Sequence, residues 1–215
     1  MTVRAFFTIA VSAAVALAAV ALAAVALHAQ APAEPTAYSV TVKYQITGTA
    51  LRTTHRLGSK VLVDQVPATG ADPGAASGPP TRTLYLLDTG QSLTWQPANP
   101  AAACTRDSFQ GDAWLDPFSG AADLAMPGVT QVGSETVLGI DAKILVSQAK
   151  PGFRLWVDPK TGLMLKAEFT PQPSAPAMTY FEVTEVHMQP PPAALFAVPA
   201  GCPSKPGASK TPPQN

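Results

Sequence analysis

Phe153-Arg-Leu-Trp-Val-Asp-Pro-Lys-Thr-Gly-Leu-Met-Leu-Lys-Ala-Glu-Phe169 reads as a β-hairpin with its turn written into it. Before the turn, Phe153, Leu155 and Val157 alternate with Arg154, Trp156 and Asp158. After it, Leu163, Leu165, Ala167 and Phe169 alternate with Met164, Lys166 and Glu168. A period of two sends one set to a buried face and the other to the opposite face. Asp158-Pro159-Lys160-Thr161-Gly162 supplies the turn. Pro159 presets φ, Asp158 accepts from backbone amides, and Gly162 takes the left-handed position that closes such loops. On this pattern Trp156 falls on the polar side, where it either packs beneath a loop or stands exposed.

The same rhythm extends outward in both directions. Tyr38, Val40, Val42, Tyr44 and Ile46 alternate with polar residues in a long first strand that Gly48 ends. Thr53 to Arg56 and Lys60 to Val66 read as one broken second segment around Gly58. Pro67 to Pro80 is rich in Ala, Gly and Pro and reads as a flexible loop. Thr83 to Asp88 and Ser92 to Gln96 form a further hairpin turning at Thr89-Gly90. Pro97 to Pro127 breaks the rhythm, and its aromatic spacing fits short helical turns that Pro117 and Gly120 keep short. Strands resume with Val132 to Val137 and Ile140 to Gln148 around Gly139, and continue through Met178 to Met188. The expected architecture is mainly β: a curved antiparallel sheet or open half-barrel with a short helical insertion as lid.

Composition bounds the setting. Met-Thr-Val-Arg precedes an apolar run from Ala5 to Leu27, and Leu27-His28-Ala29-Gln30-Ala31-Pro32 follows it. This is the plan of a secretory signal peptide, with cleavage expected after Ala29; an uncleaved membrane anchor is the competing reading. A single β-rich domain is expected over 30–202 and a disordered, Pro/Ser/Lys-rich tail over 203–215. The chain carries 14 Lys plus Arg against 14 Asp plus Glu, with no basic block. That speaks against nucleic acid, and against more than peripheral membrane contact. Cys104 and Cys202 are the two cysteines. In an exported chain an even pair reads first as a disulfide, with free thiols or a metal pair as alternatives; no His stands at ligand spacing from either.

Three segments in order carry a resemblance. They are Gly133-Ser-Glu-Thr-Val-Leu-Gly139, Leu155-Trp-Val-Asp158 with Gly162-Leu-Met-Leu-Lys166, and Leu195-Phe-Ala-Val-Pro199. Together they resemble the LolA/LolB and RseB-like periplasmic lipoprotein-localisation superfamily and its exported relatives. The resemblance implies an open barrel or half-barrel with helices at its mouth, a periplasmic or secreted location, and a hollow that takes lipid or lipoprotein acyl chains or serves an envelope protein partner. The chain departs from that pattern in an abbreviated helical portion and in Tyr38 starting a strand almost at once. No functional residue carries over.

Chemistry is sparse. His55 and His187 read as exposed strand residues, and no Gly-x-Ser-x-Gly, His-Glu-x-x-His or phosphate-binding glycine loop occurs. Asp107, Asp112, Asp116 and Asp123 do not match a calcium loop. Neither a catalytic residue, a metal nor a cofactor is expected, and a hydrolase is the least favoured class. Trp95, Phe109, Trp114 and Phe118 are the candidates for lining an apolar cavity, against the alternative that they fill the core. The expected function is non-enzymatic binding of a hydrophobic ligand in the concave face. An envelope interaction, sensory or structural accessory module with a filled interior is the other reading.

Overall fold

The computed structural model describes residues 34–45, 49–68, 78–100, 104–111, 116–124, 126–172 and 174–202. Two compact units divide the chain, Met1–Pro32 and Ala33–Asn215, and the first lies wholly outside the described residues. The expected signal peptide, its cleavage point and the tail over 203–215 therefore lie outside them too. Among the described residues the second unit is an antiparallel sheet of eleven strands. These are β1 (Ala37–Tyr44), β2 (Thr49–Leu57), β3 (Lys60–Pro67), β4 (Thr81–Leu86), β5 (Gln91–Trp95), β6 (Thr105–Ser108), β7 (Val129–Val137), β8 (Ile140–Ser147), β9 (Lys150–Val157), β10 (Met164–Phe169) and β11 (Met178–His187). A five-residue helix α1 (Gly120–Leu124) precedes β7, and a 3₁₀ turn (Ala193–Phe196) follows β11. The curved, open sheet expected from the strand rhythm is what forms.

Strand order is β6-β5-β4-β3-β2-β1-β11-β10-β9-β8-β7. Every neighbour is consecutive in sequence except β1 and β11. Two meanders therefore meet along one ladder at the middle, where Val40 stands opposite Val186 and Val42 opposite Val183. This topology has two consequences. The chain must pass from edge strand β6 to edge strand β7 across the sheet, and it does so over one face, where Phe118 packs on Tyr38 of β1 with ring centroids 4.6 Å apart. After β11 it leaves the middle over the other face, where Phe196 joins Leu62, Leu84, Leu93 and Trp95 in a second core.

That C-terminal crossing is pinned. Cys104, just before β6, is disulfide-bonded to Cys202 across a sequence separation of 98 residues. Cys104, Leu195 and Cys202 pack against the second core. The first core gathers Tyr38, Val40, Val42, Phe118, Leu163, Leu165 and Val183.

Three local expectations are corrected. The broken second segment is two full strands, because Gly58 at φ 61° lets Gly58-Ser59 turn the chain back into a tight hairpin. The Pro97–Pro127 stretch contributes an edge strand, β6, as well as α1: Thr105 to Ser108 pair with Thr94 to Gln91, a partner that spacing does not reveal. Trp156 is not exposed: it is 3% exposed and belongs to the first core cluster. Between β9 and β10 the register shifts across Met164/Lys166. The extra residue, Leu165, lies on β10, while the successive β9 residues Trp156 and Val157 are both buried, where a sheet covered on one face would bury one of them.

Two outcomes are expected of the fold. Reducing the disulfide, or Cys202→Ala, frees the segment that carries Phe196 and lowers stability by about 2–5 kcal/mol in urea titrations run with and without reductant. Leu138 holds φ 52° in the two-residue turn between β7 and β8, and its side chain is exposed. An L-residue with a Cβ is strained there, so Leu138→Asn raises stability by about 1 kcal/mol in the same titration.

Candidate ligand-binding site

The β9–β10 hairpin builds the wall of the site. Its turn forms as its sequence dictates: Asp158 accepts from the Lys160 amide at 3.0 Å and from the Thr161 hydroxyl at 2.6 Å. Gly162, at φ 76°, closes the loop with its N–H on the Asp158 carbonyl at 2.8 Å. The hairpin's inner set then faces a cavity of about 440 Å³. Phe153 and Leu155 of β9, Ala167 of β10 and Leu145 of β8 line it. Phe153 remains 36% exposed because this face looks into the hollow and is not covered by another layer.

A bulge in β11 completes the wall. Its register against β10 shifts between Ala167 and Glu168, so that Ala167 faces Phe181 and Glu168 faces Thr179. Tyr180 is the extra residue, and both Tyr180 and Phe181 line the cavity. The result is a band of rings across four strands. Phe153 stands 4.7 Å from Phe169 and 6.3 Å from Tyr180, and Tyr44 stands 6.0 Å from Phe181. Such tilted and edge-on spacings are the favourable ones for aromatic pairs.

The crossing segment forms the cover. Its turn is fixed on β1 and β10: the Tyr38 hydroxyl donates to Asp116 Oδ1 at 3.3 Å, the Phe118 amide donates to the same oxygen at 2.9 Å, and the Met164 amide donates to the Pro117 carbonyl at 2.8 Å. Arg56 lies 3.8 Å from Asp116 Oδ2. Burial, reinforced by the adjacent Asp116, holds the Tyr38 hydroxyl far above its ordinary pKa, so it stays a donor. α1 starts at Gly120 because nothing larger fits: a Cβ there would meet the Gly162 carbonyl oxygen at 2.9 Å. Beside this turn lies a smaller lobe of about 250 Å³, lined by Val42, Arg52, Thr54, Asp116 and Pro117. Met164, Tyr180 and Phe181 border both lobes.

Of the four aromatics singled out from sequence, the three that are described do not converge on this cavity. Trp95 belongs to the second core, Phe118 to the first, and Phe109 packs edge-on against Tyr85 at 5.2 Å. None of these three lines either lobe, and Trp114 lies outside the described residues. The cavity residues are instead those of the hairpin that decides the fold, together with Tyr180 and Phe181. Their signal was present in the alternation of Phe153, Leu155 and Ala167, which marks a face without saying whether that face is filled. Of the four aspartates, Asp107 lies on β6, Asp116 fixes the cover, Asp123 borders the large lobe and Asp112 is outside the described residues.

The opposite face of the sheet is polar around its middle. Trp156 donates its indole N–H to Glu135 at 2.7 Å, and Lys166 lies 4.7 Å over its ring while pairing with Glu168 at 2.6 Å. Ser39, His55 and Asp64 also sit here, the residue types of a hydrolytic triad. Ser39 Oγ is 2.7 Å from His55 Nδ1, but His55 Nε2 stands 3.8 Å from Asp64, beyond hydrogen-bond reach. Asp64 is held instead by the Arg82 fork at 2.5 and 2.8 Å. None of the three lines either lobe. His187 is exposed, as the sequence suggested, and lies 2.7 Å from Glu185, whereas His55 is half-buried.

Burial lowers the His55 pKa below its ordinary value; Asp64 opposes this and Arg82 adds to it. The unfolded chain then takes up the proton first as pH falls. The contribution of His55 is therefore complete above about pH 6.5 and is lost as pH falls from there through the folded-state pKa. His55→Gln is expected to flatten the stability–pH curve between about pH 6.5 and 5, which urea midpoints measured across that window would show.

No protein-family model matches the sequence, and no curated protein is similar to it at a significant level. Several solved structures are similar in fold. A crystal structure of MucB matches at 20% identity and a TM-score of 0.47, over 80% of this chain and 61% of that one. MucB in complex with MucA(peri) matches at 18% and 0.44, over 77% and 55%. An uncharacterized conserved protein from Thermus thermophilus matches at 15% and 0.44, over 75% and 84%. The match thus spans only 55% to 61% of the two MucB chains. At these identities the likeness is one of fold and bears on neither ligand nor partner.

Proposed function

We propose that this is an exported, non-enzymatic protein of the cell envelope that binds a hydrophobic ligand, a lipid or lipoprotein acyl chain, in the hollow of its half-barrel. The observation that carries this reading is the cavity of about 440 Å³ walled by Leu145, Phe153, Leu155, Ala167 and Phe181. Its size falls in the ~300–1,000 Å³ range of small-molecule sites, and its lining is apolar and aromatic. Transfer of an alkyl chain from water to such a wall is favourable by about 0.8 kcal/mol per methylene. The Asp116 turn and α1, within the stretch expected to supply a lid, act as the cover.

A protein partner is the second reading, favoured by one observation. β7 is an edge strand of nine residues with exposed positions along most of its length, Val132 among them, and among the described residues it pairs only with β8. Such an edge accepts an added strand.

The test is native mass spectrometry of the exported protein purified without detergent, with organic extraction and titration of the uncharged probe phenylnaphthylamine. A co-purifying lipid or saturable probe binding is expected. Leu155→Lys places a charge in the apolar wall and should weaken the probe at least tenfold while urea unfolding stays cooperative. A ligand-free mass together with no saturable probe binding would overturn the reading.

A further inference from the structure

Several strand ends and turns meet at one end of the sheet. The Gln148 amide donates to the Gly128 carbonyl at 3.1 Å, which joins the approach to β7 to the β8–β9 turn. The Thr170 amide donates to the Gly152 carbonyl at 2.9 Å, which joins the start of β9 to the end of β10. Register then sets Phe153 of β9 opposite Phe169 of β10, and Phe169 opposite Met178 of β11. This end holds large apolar side chains in water: Met126 is 54% exposed, Met178 41% and Phe153 36%. Pro127 and Pro151 beside them are exposed as well. The larger lobe opens here, because Val129, Ser147, Lys150 and Phe153 line it from strand ends, whereas Met164 lines it from the opposite end of β10. Among the described residues, the charged groups lining that lobe are Asp123, half-buried, and Lys150 and Arg154, both exposed. Glu168, opposite Arg154 on β10, is engaged by Lys166 at 2.6 Å.

We propose that this rim is the surface by which the protein docks on an anionic lipid bilayer, with the mouth of the larger lobe against the headgroups. This rests on the reading of that lobe as a ligand site and adds the route by which the ligand enters. Exposed apolar side chains around an opening gain by entering the boundary between headgroups and acyl chains. Met126 and Met178 suit that boundary, because an unbranched thioether adapts to whatever packs on it. Lys150 and Arg154 flank Phe153 in β9, and cations held close to an anionic leaflet are attracted to it within a Debye length. A protein partner would have to match this mixture of apolar and basic groups with side chains in fixed places. A fluid layer of anionic headgroups over hydrocarbon offers both without any register. A tail passing from a bilayer to the lobe through water would expose its methylenes on the way, and a mouth pressed on the bilayer removes that exposure. The contact is peripheral, in keeping with a chain that has no basic block.

The experiment is co-sedimentation of the purified protein with vesicles of phosphatidylcholine alone and of phosphatidylcholine mixed with phosphatidylglycerol, at low and high salt. Binding to the anionic vesicles is expected to be at least about fivefold tighter, and to weaken as salt rises. Lys150→Glu should lower it at least about threefold. The double variant Met126→Asp with Met178→Asp should abolish it, while phenylnaphthylamine binding measured without vesicles stays within about twofold, since neither methionine lines the lobe. Probe binding by a wild-type protein that sediments with neither kind of vesicle overturns the docking surface and leaves the ligand site standing. Vesicle binding that both variants retain overturns the placing of the surface at this rim. A dimer that the methionine variants dissolve, without vesicle binding, reassigns the rim to a protein contact and overturns the choice of a bilayer. Vesicle binding lost in the methionine variants of a protein that never binds the probe supports the docking surface and removes the ligand site instead.

Discussion

The ladder between β1 and β11 is the constraint on which the rest depends. It joins the two ends of the described chain, from Ser39 with His187 to Tyr44 with Phe181. Every other pairing is between consecutive strands. Local hairpins of this kind are marginal alone, and each of the two meanders would expose one unpaired edge at the middle. Bringing those edges together abolishes both, and it places Tyr38, Val40, Val42 and Val183 in one core. It also dictates the two crossings, because a chain that begins and ends its strands at the centre must travel to both edges in between. One crossing becomes the cover of the cavity, and the other becomes the C-terminal strap held by Cys104–Cys202.

The hollow persists because several local features hold ring side chains around it without filling it. The bulge at Tyr180 aims two successive aromatics at the same space. Asp116 and the Pro117 carbonyl fix the cover where Phe118 meets Tyr38, beside the rings and not among them. Gly120 lets α1 approach the Gly162 turn closely, which anchors one end of the cover on the hairpin. Leaving apolar side chains facing a cavity forgoes packing contacts that a filled core would make.

The polar side of the sheet shows how the same strands remain compatible with water. Lys166 pairs with Glu168 and covers Trp156, whose indole N–H is satisfied by Glu135. Without that partner, burial of the indole N–H would cost about 1–3 kcal/mol. Arg82 and Asp64 form a fork-to-fork pair on the same side, which leaves Ser39 and His55 as a hydrogen-bonded pair within the strands.

The sequence by itself determined most of the strands and turns and made a bridge between its two cysteines the first reading. Alternation over Tyr38 to Tyr44 and Leu163 to Phe169, and the Asp158 to Gly162 turn, are local properties enforced by backbone geometry and side-chain period, so they are legible over a few residues. Tertiary structure decided what those faces meet. Whether Phe153 and Leu155 face a core or a cavity depends on the β1–β11 ladder and on where the crossing segment lands, and neither leaves a local pattern. The bulge that turns Tyr180 inward is a single-residue slip between partners, invisible to a period-two reading that assumes perfect register. For the same reason Trp95, Phe109 and Phe118 read as one cluster in sequence and separate into three in space. One short stretch of chain carries them, but the strands and crossings on which they sit lead to different places.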